Sequence, residues 1–301
     1  MDNSEKEWSG KSRGGGFGYR FFIGLIRYCG ITSAYVFLTL VVAYFIPFAP
    51  GATAAIWSYY RKRLGYCRLR ACGALYMHYY RFGQVLIDKM ALRAGLQDRY
   101  RFTFDNYERF LEIINGDSGV VLIGAHVGCW EAGSAFFGKY ARKINIVMFD
   151  GEDENVKKAM QRESGEEGYK IIPVNRGSIE AMLQIKVALN NGEYVCFNGD
   201  RFVHRENLQD VTFLGGKASF PKGPFLIARK CRVPVVFYYA MREKGRRYRF
   251  IFKEADTAGS RDVAPLIDQY ADSLESVVRR YPRQWFNFYR FWEDESGKVS
   301  E

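Results

Sequence analysis

Between residues 28 and 60 the chain carries no charged side chain. The stretch 28–46 is apolar for long enough, at ~1.5 Å per residue, to approach a ~30 Å hydrocarbon core as a helix. Pro47 and Pro50 interrupt it, and Arg61, Lys62 and Arg63 close it with charge. Residues 1–18 are polar, Gly-rich and aperiodic, which predicts a flexible arm. Residues 64–94 place Leu69, Cys72, Leu75, Val85, Leu86 and Met90 at helical spacing among tyrosines and arginines, predicting one long or two shorter amphipathic helices. His78 lies in this run and reads as a packed helix residue.

Beyond Gly95 the pattern changes to short apolar runs alternating with helical stretches. Strands are predicted over 101–104, 120–125, 144–149, 169–174, 194–198, 233–240 and 248–253, and helices over 106–114, 152–162, 178–189, 225–232 and 263–280. Asp105 is the expected N-cap of the first of these helices. Residues 210–222 read as a loop, and 243–246 as the turn of a hairpin. The aromatic segment 281–292 has no period. Strands alternating with helices predict an α/β fold: a mostly parallel mixed sheet flanked by helices, with an N-terminal membrane-associated helical segment. The expected division is an arm at 1–18, a membrane-attachment segment at 19–63 and an α/β domain at 64–301 that includes the helices of 64–94.

Charge sharpens this picture. The net charge of +11 and pI of 9.3 call for an anionic neighbour: nucleic acid, an anionic membrane surface, or a phosphate-bearing or acidic substrate. Aromatic residues make up 17% of the chain and gather beside arginine near both termini. That mixture suits a membrane interface, so membrane lipids are expected partners and nucleic acid is not. Arg20 and Arg27 before the apolar stretch and Arg61, Lys62, Arg63, Arg68 and Arg70 after it make both flanks positive. A Pro-broken segment that dips into one leaflet and returns satisfies both flanks on one side; a single span and a signal or soluble core helix remain alternatives. The mean hydropathy of −0.24 excludes a polytopic protein. Six cysteines without CxxC spacing read as reduced thiols facing the cytosol, and three widely separated histidines give no metal-ligand spacing, so no metal site is expected.

The chemistry gathers at strand ends, where backbone N–H groups are free and loops face solvent. Gly124-Ala125-His126-Val127-Gly128-Cys129-Trp130-Glu131 follows the apolar run 119–123. On one helix His126 and Glu131 would face different ways, so they meet only across a turn, for which Gly128 is suited. In contact, Glu131 would fix the imidazole tautomer and His126 would take a proton from a hydroxyl or amine. A buried structural histidine is the competing reading. Arg176, after the strand 169–174, stands at a helix start suited to phosphate or carboxylate. Asn198-Gly199-Asp200-Arg201 follows the next strand with a carboxylate and a guanidinium, and surface ion pairing is its alternative. Lys217 and Lys222 belong either to a plain loop or to a site for phosphopantetheine or an anionic headgroup. The chain contains no GxSxG, Walker or GxGxxG signature, which disfavours a serine hydrolase, an NTPase and a nicotinamide enzyme.

The series Ala125-His126-Val127-Gly128-Cys129-Trp130-Glu131, Arg176, Asn198-Gly199-Asp200-Arg201, Phe213-Leu214-Gly215 with Pro221, and Val233-Pro234-Val235-Val236 resembles the bacterial lipid A biosynthesis acyltransferases, within the lysophospholipid acyltransferase superfamily. The resemblance runs from about Ile23 to the C-terminus. It implies an enzyme on the cytoplasmic face of the bacterial inner membrane that moves a fatty acyl chain from acyl carrier protein or coenzyme A to a lipid acceptor, with no bound cofactor. His126 matches the family's base and Glu131 its acidic partner. Arg176 and Asp200 match a basic and an acidic position, and Arg162 matches a further arginine at looser spacing. Asp200-Arg201 departs from the Asp-Gln of many members. The aromatic 284–289 segment and Trp8-Ser9-Gly10-Lys11-Ser12-Arg13-Gly14-Gly15 look like the branch found with aryl polyene or flexirubin pigment lipids. A lysophosphatidic acid acyltransferase and a non-enzymatic basic scaffold or nucleic-acid-binding protein are the rival readings.

Overall fold

The computed structural model describes residues 15–133, 143–149, 169–174, 179–202, 207–258 and 262–292. Seven strands form one sheet in the order β1-β9-β8-β2-β5-β3-β4. They are β1 (Arg101–Asp105), β2 (Val120–Gly124), β3 (Ile144–Phe149), β4 (Tyr169–Val174), β5 (Tyr194–Asn198), β8 (Val235–Arg242) and β9 (Arg247–Glu254). Five of them, β2, β3, β4, β5 and β8, run parallel, while β1 and β9 run the other way beside β8. The central strand β2 is buried along its whole length, which is why it reads as an unbroken apolar run. The α/β fold is therefore as the pattern predicts.

Among the described residues four helices serve the sheet: α4 (Tyr107–Ile114), α5 (Ile179–Asn190), α6 (Gly223–Cys231) and α7 (Ala264–Arg280). The helix expected at 152–162 lies outside the described residues. Asp105 does not cap α4; the cap position is Asn106, in the left-handed region at φ 56°, and the Asp105 carboxylate pairs with Arg249 at 2.8 Å. The stretch 210–222 is no loop. It forms the antiparallel pair β6 (Leu208–Phe213) and β7 (Gly216–Pro221). Alternate residues Val211, Phe213, Ala218 and Phe220 are buried, and Leu214 and Gly215, both at positive φ, make the tight turn.

The N-terminal region forms α1 (Gly15–Phe48), α2 (Pro50–Ser58), a π turn (Tyr59–Arg63) and a single long α3 (Arg68–Arg93). Helix begins at Gly15, inside the expected arm, and continues through Pro47. By length and composition Arg20–Phe48 is apolar enough to cross a membrane, but it is not one rod. Gly30 has φ 82° and ψ 166°, outside any helical geometry. Phe21 and Phe37 rings stand 5.0 Å apart, whereas sixteen residues of straight helix span ~24 Å, so 15–29 folds back along 31–48. The second arm has two apolar faces. Ile31, Ala34, Leu38 and Val42 are buried, and Leu38 meets α3 at Gly83. Val36, Leu40, Tyr44 and Phe48, at i+4 spacing, are exposed on the other side.

A buried charge cluster ties this region to the sheet. Asp88 of α3 and Arg242 of β8 pair at 2.6 Å with side chains 0% and 4% exposed. Tyr100 and Tyr248 donate to the Asp88 carboxylate at 2.9 and 2.7 Å, Tyr35 of α1 donates as well, and Arg242 donates to the Tyr35 hydroxyl at 3.1 Å. Burial works against the guanidinium charge, but Asp88 and the tyrosines outweigh it and raise the Arg242 pKa. Asp88→Asn strands that charge and is expected to lower stability by about 3–5 kcal/mol, measured as the urea midpoint in detergent; Asp88→Leu with Arg242→Met is expected to recover most of the loss.

Candidate active site

The site grows from strand register. Strands β2 and β5 are parallel neighbours, and Gly124 lies opposite Asn198 at their ends. Two residues further on each strand stand His126 and Asp200, which places their side chains together. His126 Nδ1–H donates to Asp200 Oδ1 at 2.7 Å, and the His126 backbone N–H donates to Oδ2 at 3.0 Å. Trp285 Nε1–H adds a third donor to Oδ2 at 3.2 Å. The strand ends are themselves fixed, because the Gly124 carbonyl accepts from Gly199 N–H at 2.9 Å and from the Tyr270 hydroxyl at 2.7 Å.

Asp200 is 2% exposed and the His126 side chain 24%. Burial raises the Asp200 pKa, but the His126 charge and ring hydrogen bond, the Arg201 guanidinium and the His126 backbone N–H together hold it below the usual carboxylate range. An ionised carboxylate only accepts, so Nδ1 carries the ring proton and Nε2 carries the lone pair of the neutral imidazole. His78, by contrast, is fully buried against Tyr60, and burial pushes its pKa down to about 3.

The loop after β2 is gripped from both sides. Gly128 N–H donates to the Gln284 carbonyl at 2.9 Å, Cys129 N–H to Ala240 at 2.8 Å, and Phe286 N–H to the His126 carbonyl at 2.8 Å. Val127 and Trp285 form an antiparallel bridge, so the 284–286 segment acts as a strap across the loop. Gln284 closes onto β8 through both donor and acceptor bonds to Arg242's backbone, at 2.9 and 2.7 Å. Gly128 has φ 57°, and any Cβ there would collide with the Ala240 carbonyl. The strap is anchored by Trp285 and Trp292, 1% and 2% exposed, and by Tyr59 and Tyr60, whose hydroxyls donate to the Pro282 carbonyl at 3.1 and 3.0 Å.

Of the residues expected at the site, His126 and Asp200 are brought into contact. Asn198 sits beside Gly124, its Oδ1 3.6 Å from where a Cβ would stand. Arg201 donates to the Phe286 carbonyl at 2.7 Å and lies 5.8 Å over the Tyr289 ring, so it also binds the strap. Lys222 stands at the start of α6, its backbone N–H donating to Asn207 at 2.9 Å. Lys217 pairs with Asp210 across the β6–β7 hairpin at 2.9 Å. The backbone of Glu131 is in the 3₁₀ turn Trp130–Gly133; its side chain, and Arg162 and Arg176 entirely, lie outside the described residues. Among the described residues no group of three or more His, Cys, Asp or Glu side chains is placed to hold a metal ion. Sequence reasoning missed Trp285 and Gln284, and gave Asp200 to the substrate rather than to the imidazole.

An imidazole with one nitrogen held by a buried carboxylate and its ring partly open to solvent is built to take a proton. Residues 79–294 match the family model of bacterial lipid A biosynthesis acyltransferases. The chain belongs to this family. It is an acyltransferase of the membrane-associated, lipid-modifying kind, and the match spans β2, β5, β8 and the strap. No curated protein matches the chain.

Two outcomes test the acyltransferase's site geometry. Gly128→Ala is expected to displace the His126 loop and abolish activity in protein that still purifies as a folded species. Because the Asp200 pKa is lowered on folding, its stabilising contribution is present above the ordinary carboxylate range and is lost as pH falls through the depressed value. The gap between the urea-unfolding free energies of wild type and Asp200→Asn is therefore expected to be present at about pH 5 and to close below about pH 4.

Proposed function

We propose that the protein transfers a fatty acyl chain from an acyl carrier protein or coenzyme A thioester to a hydroxyl of a lipid A-like or related envelope glycolipid. The contact between His126 and Asp200 at 2.7 Å carries this reading. Nε2 takes the proton of the acceptor hydroxyl, and the oxygen attacks the thioester carbonyl. The tetrahedral intermediate collapses as the carbon–sulfur bond breaks, and the thiolate leaves with the proton returned by the imidazolium, giving an ester and a free thiol. Asp200 positions the ring and stabilises its cation. Glu131 is the acidic partner of His126 that the family resemblance implies, and Asn198, Arg201, Lys222, Arg162 and Arg176 contact the donor or acceptor.

Residues 19–63 attach the α/β domain of 64–301 to the cytoplasmic face of the bacterial inner membrane. A helix apolar on all sides but covered by protein on one needs lipid on the other, and the Val36, Leu40, Tyr44 and Phe48 stripe supplies that face. The fold-back at Gly30 and the short return through α2 support monotopic attachment over a single span.

Purified protein in detergent, given acyl thioester and a lipid A precursor, is expected to release thiol. His126→Ala is expected to abolish release and Asp200→Asn to reduce it by roughly 10²–10⁴-fold; unchanged release in His126→Ala would sink the mechanism. A panel with lysophosphatidic acid and pigment-lipid precursors, read by mass spectrometry of the products and of envelope lipids with and without the gene, identifies the acceptor and the family branch.

A further inference from the structure

Away from the imidazole, the corner where β1 meets the β8–β9 turn holds a recess of about 430 Å³ lined only by polar and charged side chains and Gly245. Arg99, Arg101 and Lys244 are exposed there and Arg246 is half-buried. Arg247 is paired with Glu243 at 3.1 Å, and among the described residues Asp98 is the one carboxylate on the rim. Among the described residues five cations thus line the recess against one carboxylate, and one of the five, Arg247, is already paired. Their backbone is fixed: Arg101 N–H donates to the Arg246 carbonyl at 3.0 Å and Glu243 N–H to Arg247 at 2.7 Å, with Gly245 and Arg246 at positive φ closing the turn.

Topology gives this recess its meaning. Strands β1 and β9 run opposite to the other five, so Arg101, which starts β1, lies at the end of the sheet where β2 and β8 finish. That end carries His126. From β2 across β8 and β9 to β1 is three strand spacings, and the recess lies several residues further along β8 than the His126 loop, so the separation is on the order of 20 Å. A flexible thioester-bearing arm bridges such a gap, whereas one small anion cannot touch both places.

We propose that this recess is the docking surface for an acidic protein that carries the acyl group as a thioester. The inference rests on the acyl-transfer reading above and names where the donor stands. Like-signed cations around a concavity fit protruding carboxylates of a partner. A bilayer is the poorer match, because attachment to lipid combines cations with exposed apolar side chains, and among the described residues none of those lines this rim.

The test uses the full-length protein with Arg99→Glu/Lys244→Glu, and separately Arg101→Glu, in detergent. Each is assayed with the acyl thioester of a holo acyl carrier protein and with the same acyl group on free pantetheine. Charge reversal is expected to raise KM for the carrier-bound donor at least about tenfold and to leave the pantetheine reaction unchanged. Carrier binding by fluorescence anisotropy is expected to weaken in parallel and to fall with added salt in the wild type. The unchanged pantetheine reaction also shows that the variants fold. Equal loss with both donors, no change in carrier KM or binding, or lost binding to anionic vesicles with carrier KM intact would each overturn the proposal. Carrier binding that depends on these cations while turnover survives His126→Ala leaves the surface standing and sinks the catalytic reading instead.

Discussion

The register between β2 and β5 is the constraint on which the site depends. Parallel neighbours advance together, so two residues past the Gly124–Asn198 pair the chain must place His126 and Asp200 side by side. A slip of one residue would send one side chain to the opposite face of the sheet. That register is held by the full burial of β2 between β5 and β8 and by the hydroxyl of Tyr270 and the amide of Gly199 converging on the Gly124 carbonyl. The geometry of the candidate site is in this sense a by-product of core packing, carried two residues past the end of each strand.

Much of the fold was legible because its signals are local. The unbroken apolar run of β2, the alternation of strands and helices and the Glu243–Arg246 turn each announce themselves within a dozen residues. The β6–β7 hairpin was missed because Leu214, a residue that seldom takes positive φ, shares its turn with Gly215. Gly30 was passed over for a related reason: a glycine within an apolar helix is compatible with a straight path, and only its φ shows the reversal.

Strand-end positions of the candidate site are legible in the sequence, but which side chains meet there is not. His126 and Asp200 were both marked by their strand-end positions, yet their contact follows from which strands are neighbours, and sequence order does not give strand order. Trp285 was hidden more deeply. It sits in a segment without period, and its indole N–H matters only because the strap crosses the His126 loop. Aromatic density in 285–292 was the available signal, and it reads equally as packing, which it also is: Trp285 and Trp292 meet edge-to-face at 5.6 Å.

The strap has a consequence for how activity arises. The imidazole's surroundings join segments 74 and 85 residues apart along the chain. Were residues 284–292 to undock, the strands of the sheet would keep their pairing while the His126 loop lost its grip. The strap thus gives the candidate site a local stability of its own, separable from that of the sheet beneath it.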